Sequence, residues 1–276
     1  MSSSGELGGD ILTTLYDELL ASSVVRSDQD TVTNLHTFRP RHEALWRALG
    51  HHLNGRRETI ADIGCHNGFF LRLVEPLGFR RFVAIDYFEL PPERSFLPHL
   101  NGVEFIKANF NEEDFLGSLA DGSVDAAVST EVFEHIYGHP AGYLAEVWRV
   151  LRPGGLLLFS TPNPGYLSKV LKSLAGKPVL WGDLDFARTP KTNTGTGKPL
   201  AVWDIHFREY QPTDMRTLLE ELKGAEVILS GFAANAPRPD DSFLGGRAKR
   251  MLQVTGAART RIFASTQYYV VRKTGA

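Results

Sequence analysis

The sequence predicts an α/β fold: a doubly wound, mostly parallel, seven-stranded sheet with an N-terminal helical cap and a late lid insertion. Three observations point there. Short apolar runs alternate with helical stretches from Thr59 to Thr161, the pattern of parallel strands joined by right-handed crossovers. The first run enters a loop with two glycines four apart, Gly64 and Gly68. The second run ends on an acid, Asp86.

Taken in order, Asp10–Ala21 has helical spacing, with Ile11, Leu12, Leu15, Leu19 and Leu20 on one side. Arg41–Leu53 reads as a second helix through Leu45, Trp46, Leu49 and Leu53. Residues 1–57 are therefore expected to form a cap, and 58–276 the core. Strands are predicted at Thr59–Ile63, Arg81–Ile85, Val103–Lys107, Val124–Ser129 and Leu156–Thr161. Helices are predicted to start near Gly68, Pro91, Glu112 and Pro140, with another at Thr213–Leu222. Glu226–Ala233 and Thr266–Lys273 supply the last two strands. Residues 163–204 are too long for a plain connector and read as a substrate lid with a short helix at Tyr166–Leu174. Tyr166, Trp181, Phe186 and Trp203 there could stack on a sugar or form the lid's own small core. Residues 237–258 form a second insertion, helical after Asp241.

At 276 residues and 42% hydrophobic content, the chain fits one large domain with insertions. No apolar run reaches the length of a membrane span, and the N-terminus lacks the marks of a signal peptide. The single cysteine, Cys65, excludes an internal disulfide framework and suits a cytoplasmic location. Its place in the glycine loop reads as packing rather than a nucleophile. A formal charge of −2 argues against nucleic acid as partner. Basic residues nevertheless concentrate locally: six Lys or Arg against two Asp in 165–200, and eight against two in 238–273. These segments either line an entrance for an anionic substrate or form a solvated surface.

The glycine loop departs from the dinucleotide pattern, because His66 stands where the middle glycine belongs. Asp62, two residues before Gly64, would repel pyrophosphate but suits an ammonium group. Asp86 is placed to accept hydrogen bonds from both hydroxyls of a ribose. Further on, a helical stretch ends in Leu151-Arg-Pro-Gly-Gly155 and feeds an apolar run. Together these motifs resemble the class I S-adenosylmethionine (SAM) methyltransferases over about Glu58–Pro164, and again over Ile205–Glu221 and the last strand.

The resemblance implies a Rossmann-like sheet whose last two strands pair antiparallel, and SAM as cofactor. Asp62, Gly64, Cys65, His66, Asn67 and Gly68 would hold it after the first strand, and Asp86 and Tyr87 after the second. Asn109 stands where the family often has an aspartate facing the adenine amine, and Phe110 could stack on the purine. Ser129 and Thr130 would offer backbone groups to the methionine part, and Arg39, Arg41 or His42 could reach its carboxylate.

Glu131-Val-Phe-Glu134-His135 would share one face of a helical turn, with His206 far along the chain. This is similar to the metal-dependent O-methyltransferases of small-RNA and ubiquinone-pathway type. Carried over, Glu131, Glu134, His135 and His206 would ligate a divalent ion, Mg²⁺ or Mn²⁺, with Glu134, His135 and His206 catalytic. A metal clamp favours a vicinal diol, so the expected acceptor is a small molecule or glycan, anionic where the basic segments meet it. Other readings stay open. His135 could be a metal-free base acting on a lipid, quinone-like or natural-product hydroxyl, or could only anchor the helix. The acceptor could be an RNA ribose. The chain could also be an NAD-dependent oxidoreductase, or bind SAM without transferring anything.

Overall fold

The computed structural model describes residues 4–26, 29–180, 205–237 and 243–275. Three helices open the chain, α1 (Ser4–Ala21), α2 (Ser23–Arg26) and α3 (Gln29–His52). The core then runs β1 (Thr59–Ile63), α4 (Phe69–Val74), β2 (Arg81–Asp86), β3 (Val103–Lys107), β4 (Val124–Thr130), α5 (Pro140–Val150) and β5 (Leu151–Pro162). It closes with α6 (Leu167–Leu174), α7 (Pro212–Glu220), β6 (Ala225–Ala233), α8 (Phe243–Val254) and β7 (Thr266–Lys273). The seven strands form one sheet in the order β3-β2-β1-β4-β5-β7-β6. All neighbours are parallel except β7, which pairs antiparallel with both β5 and β6. The order reverses between β1 and β4, and the crevice beyond their carboxyl ends is where such sheets bind ligands.

The sheet is covered on both faces, which is why β1 and β4 are almost wholly buried and read as continuous apolar runs. On one face Tyr16, Leu45, Trp46 and Leu49 pack with Phe69 and Phe70 over Ile60, Val128 and Leu158. On the other, Tyr143, Leu144, Val147, Met215 and Leu219 cover Ile63, Val83, Ala127 and Phe159. The N-terminal helices are thus continuous with the main core.

Three expectations about helices need correction. No α-helix forms near Pro91. Two single 3₁₀ turns, Pro92–Arg94 and Leu97–His99, stand there instead, because Pro91, Pro92 and Pro98 supply no N–H donors. Residues after Glu112 make successive turns, Asp114 C=O to Gly117 N–H (2.7 Å) and Leu116 C=O to Leu119 N–H (2.8 Å). The helix expected from Arg41 begins twelve residues earlier, at Gln29, and runs through Pro40. One turn before Pro40 the Thr37 carbonyl accepts from Ala236 N–H (2.9 Å), tying α3 to the segment after β6. Trp181, Phe186 and Trp203 lie outside the described residues. Among the described residues no helix is long and apolar enough to cross a membrane.

Candidate active site

The loop after β1 is built by conformations that only certain residues tolerate. Gly64 has φ +82° and Gly68 φ +75°. A Cβ at Gly64 would meet Val132 Cγ2 at 2.3 Å, and one at Gly68 would meet Leu97 Cδ2 at 2.5 Å. His66 also takes a positive φ, 47°. The N–H groups of Gly64 and Cys65 both donate to Ile85 C=O (2.8 and 3.1 Å), locking the loop to β2. Asn67 Oδ1 accepts from Phe69 N–H (3.1 Å) at the start of α4.

Asp86 closes this loop from the second strand. Its carboxylate accepts from His66 N–H (2.8 Å) and Tyr87 N–H (2.7 Å). Burial pushes Asp86 up from the ordinary carboxylate value, and those amide bonds oppose the shift. Asp62 is buried, and burial followed by the Asp86 charge pushes its pKa up to about 7. The same acids, after burial itself, push the Cys65 thiol well up, so it is an inert packing group. Tyr87 is exposed at the rim. Phe110 Cε2 lies 3.9 Å from the Cβ position of Gly64, which puts its ring against the glycine loop. Asn109 holds a local turn, its amide donating to Glu112 Oε1 (3.0 Å) and accepting from Asn111 N–H (3.2 Å). Ser129 spends its hydroxyl on Tyr143 (2.7 Å), while Thr130 ends β4 opposite Ser160.

The acidic stretch after β4 does not form one helical turn. Glu131 sits at φ 55°, its N–H donating to Ser160 C=O (2.9 Å), and only Phe133–His135 make a 3₁₀ turn. The four expected ligands therefore separate. Glu131 Oε1 accepts from Ser160 Oγ (3.1 Å) and lies 3.2 Å from Arg41 Nη1. Glu134, His135 and His206 converge, with one ligand atom of each within 4.8 Å of the other two.

The segment bearing His206 is pinned to the turn through its own backbone groups. Phe207 N–H donates to Glu134 C=O (2.8 Å), and His135 Nδ1 meets Ile205 C=O at 2.9 Å. A carbonyl only accepts, which assigns the proton to Nδ1 and leaves the Nε2 lone pair free. The carboxylate of Glu209 does the same for His206, 3.0 Å from Nδ1. Both Nε2 atoms stand 3.9 Å from Glu134 Oε1, with the rings at 80° and their centroids 4.9 Å apart. Glu134 Oε2 accepts from Thr161 Oγ1 (3.1 Å), but the buried Oε1 has no hydrogen-bond partner. Burial, then the charge of Glu131, pushes the Glu134 carboxyl well above the usual range. Burial and the neighbouring His206 bring His135 down to about 4. Burial alone would raise Glu209, but its bond to His206 and the Lys169 ammonium outweigh it and hold the carboxyl below the usual value.

Sequence reasoning missed Glu209 and Thr161. Only the short spacing His206-Phe-Arg-Glu209 hinted at the first. Of the three basic residues considered for a carboxylate, Arg39 is spent on Asp17 and Glu43, and His42 meets the Tyr16 hydroxyl at 3.0 Å. Arg41 is 5% exposed, and its Nε and Nη1 have no hydrogen-bond partner.

A glycine loop, two acids and an aromatic wall at the sheet's reversal define a nucleoside-binding enzyme of the doubly wound class. Residues 61–159 match the family model described as Methyltransferase domain. A protein of Mycobacterium tuberculosis named for S-adenosylmethionine-dependent methyl transfer is 34% identical over 223 residues, 79% of this chain and 68% of the relative. The malonyl-[acyl-carrier protein] O-methyltransferase of Serratia marcescens is 31% identical over 199 residues, 66% of this chain and 70% of that one. A Mycolicibacterium smegmatis relative named in the same way as the first is 32% identical, and the chain spans 55% of its length. The fold is shared with a SAM-dependent methyltransferase from Mesorhizobium loti (TM-score 0.55, 19% identity, covering 83% of this chain and 96% of that one). It is also shared with an S-adenosylhomocysteine-bound N-methyltransferase from Burkholderia thailandensis (TM-score 0.52, 18% identity, covering 100% and 92%). The chain belongs to the SAM-dependent methyltransferases, and SAM is its cofactor.

Proposed function

We propose that this enzyme methylates a hydroxyl on an acceptor with adjacent oxygens, a sugar or glycan first, aided by a divalent ion on Glu134, His135 and His206. One observation carries the metal reading: two imidazoles with free Nε2 lone pairs converge on a buried carboxylate oxygen that has no protein partner. The donor set fits such an ion. Each histidine has its other nitrogen hydrogen-bonded to an oxygen acceptor, as metal-ligating histidines do. Two nitrogens and one oxygen suit Mn²⁺ better than Mg²⁺, which prefers oxygen. When bound, the ion would supply Lewis acidity to the acceptor hydroxyl. Glu131 is not part of this set, since it serves as the counter-charge of Arg41.

The chain's own residues do the rest. Asp62 faces the cofactor's ammonium group, Asp86 its ribose, and Phe110 one side of its adenine. Arg41, whose buried Nε has no hydrogen-bond partner while its Nη1 stays 3.2 Å from Glu131 Oε1, takes the methionine carboxylate. The N-terminal helices that carry it cap the cofactor and exclude water. Oxygen as the acceptor atom is supported by the Serratia relative, which is named for O-methylation. His135 as an unaided base is disfavoured, because a group titrating near 4 is a weak proton acceptor at neutral pH.

The test is transfer of labelled methyl from SAM into a panel of sugars, glycans, catechols and quinols, before and after EDTA. Activity should vanish with EDTA and return with Mn²⁺. Independently, His206→Ala should retain less than a tenth of the bound metal while keeping S-adenosylhomocysteine affinity. Turnover that survives complete metal removal would overturn the metal role. Transfer confined to quinols would overturn the glycan assignment.

A further inference from the structure

A second cavity, of about 650 Å³, opens between α3, β6 and the turn that follows α8. None of its walls belongs to the glycine loop or to the Glu134 cluster. Its size falls within the range of small-molecule sites.

The cavity exists because the facing surfaces do not fill it. Along α3 the wall residues Ala44 and Ala48 are small, while Leu229, Phe232 and Tyr268 on the strands opposite are only partly buried. Apolar groups left half-covered by their own fold offer area that a hydrocarbon can remove from water. The Tyr268 phenol lies over Gly231, where a Cβ would come within 2.5 Å of its hydroxyl, so this floor depends on a glycine.

The rim is cationic. Arg39 is neutralised by Asp17 and Glu43, and Glu43 is the only acid of the wall among the described residues. Arg47 and Arg259 are exposed, and neither has a carboxylate partner among the described residues. Arg259 is supplied by the turn after α8, within the basic 238–273 region. Its field reaches the floor: burial raises the Tyr268 phenol, and the Arg259 charge opposes that shift. The segment between β6 and β7 thus contributes a positive wall to an apolar trough.

We propose that this groove binds an amphiphilic anion, a hydrocarbon chain ending in an anionic head such as a phosphate, at a site separate from the methyl donor. The chain lies on Leu229, Phe232 and Tyr268, and the head pairs with Arg47 and Arg259. This inference does not rest on the acceptor or metal assigned above.

The experiment is calorimetric titration of dodecyl phosphate, kept below its micelle concentration, into the full chain saturated with S-adenosylhomocysteine. Expected is one saturable site that weakens tenfold or more in Arg47→Gln/Arg259→Gln, while S-adenosylhomocysteine affinity stays unchanged. Arg259→Gln alone serves if the double variant loses that affinity. Dodecyl maltoside and inorganic phosphate, each carrying one half of the recognition, should each bind at least tenfold more weakly. Equal binding of either, an unchanged affinity in the arginine variants, or no saturable binding would overturn the proposal.

Discussion

Arg41 Nη1 lies 3.2 Å from Glu131 Oε1, so a nearly buried guanidinium on α3 is paired with the residue that leaves β4 in a left-handed conformation. The contact joins the N-terminal helices to the catalytic crevice. It also explains why Glu131 parts company with Glu134 and His135, although the spacing would place all three on one face of a helix. The pairing makes Glu131 a structural counter-charge.

Glu131→Ala should therefore destabilise the fold and spare metal binding at the proposed site. Removing one partner leaves a buried, uncompensated charge, at a cost of about 3 kcal/mol and a fall in Tm of roughly 10 °C. Thermal unfolding and elemental analysis of the same sample check both halves. A variant that keeps its Tm but loses its metal would return Glu131 to the ligand set.

Glu209→Gln addresses the group that orients His206. The carboxylate 3.0 Å from Nδ1 makes the ring present Nε2 to the cluster, and the Lys169 ammonium holds that carboxylate charged. An amide in its place can turn its NH₂ toward Nδ1 and favour the wrong tautomer. Losses of this kind cost about 10–100-fold in metal affinity. Titration of Mn²⁺ into wild type and variant should show a loss of that order with S-adenosylhomocysteine binding intact. Equal affinities would mean that the cluster is not organised for an ion.

The strands were legible because burial on both faces writes them as apolar runs. Thr59–Ile63, Val103–Lys107 and Thr266–Lys273 stand where their sequences place them. Of the crossovers, the helices starting at Phe69 and Pro140 were equally legible, and those expected near Pro91 and Glu112 were not. Phe115, Leu116 and Leu119 have the spacing of a helix and are buried, yet Asp114 takes φ 56° and the chain closes each turn after three residues. Burial of an apolar side does not select among helical and turn conformations. The cluster was half legible for a related reason. Glu134 and His135 are sequence neighbours, and His206 could be paired with them only by analogy. On the His206 segment the groups that seat it, Phe207 N–H and Ile205 C=O, are backbone and leave no trace in residue identity there.

Gly64→Ala should damage cofactor binding and stability together. The φ of +82° costs a side-chain-bearing residue about 1–2 kcal/mol, and the added methyl would stand 2.3 Å from Val132 Cγ2. Val132 must then move, and with it the 3₁₀ turn that bears Glu134 and His135. A drop of at least tenfold in S-adenosylhomocysteine affinity and a lower Tm are expected by calorimetry and thermal unfolding. Wild-type values for both would mean that the loop tolerates a side chain and has no close-packed role.

Asp62 should make cofactor binding pH-dependent in a defined direction. Its pKa is raised from 3.8 to about 7 by burial and by Asp86, so near pH 6 the free folded chain carries a proton that the unfolded chain has lost. Stability of the free protein contributed by this group therefore falls as pH rises from about 4 to 7, the reverse of a salt-bridged acid. A ligand ammonium placed beside Asp62 favours the carboxylate and expels that proton. S-adenosylhomocysteine affinity should then rise with pH between 5.5 and 7, by up to about tenfold per pH unit, the limit for release of one proton. The ligand's own amine, with a pKa of about 7.7–8.0, stays charged across this window. Titrations at pH 6 in two buffers of different ionisation enthalpy should show a proton released by wild type and none by Asp62→Asn. An affinity that is flat with pH in wild type would place the ammonium elsewhere and leave Asp62 as a neutral core carboxyl.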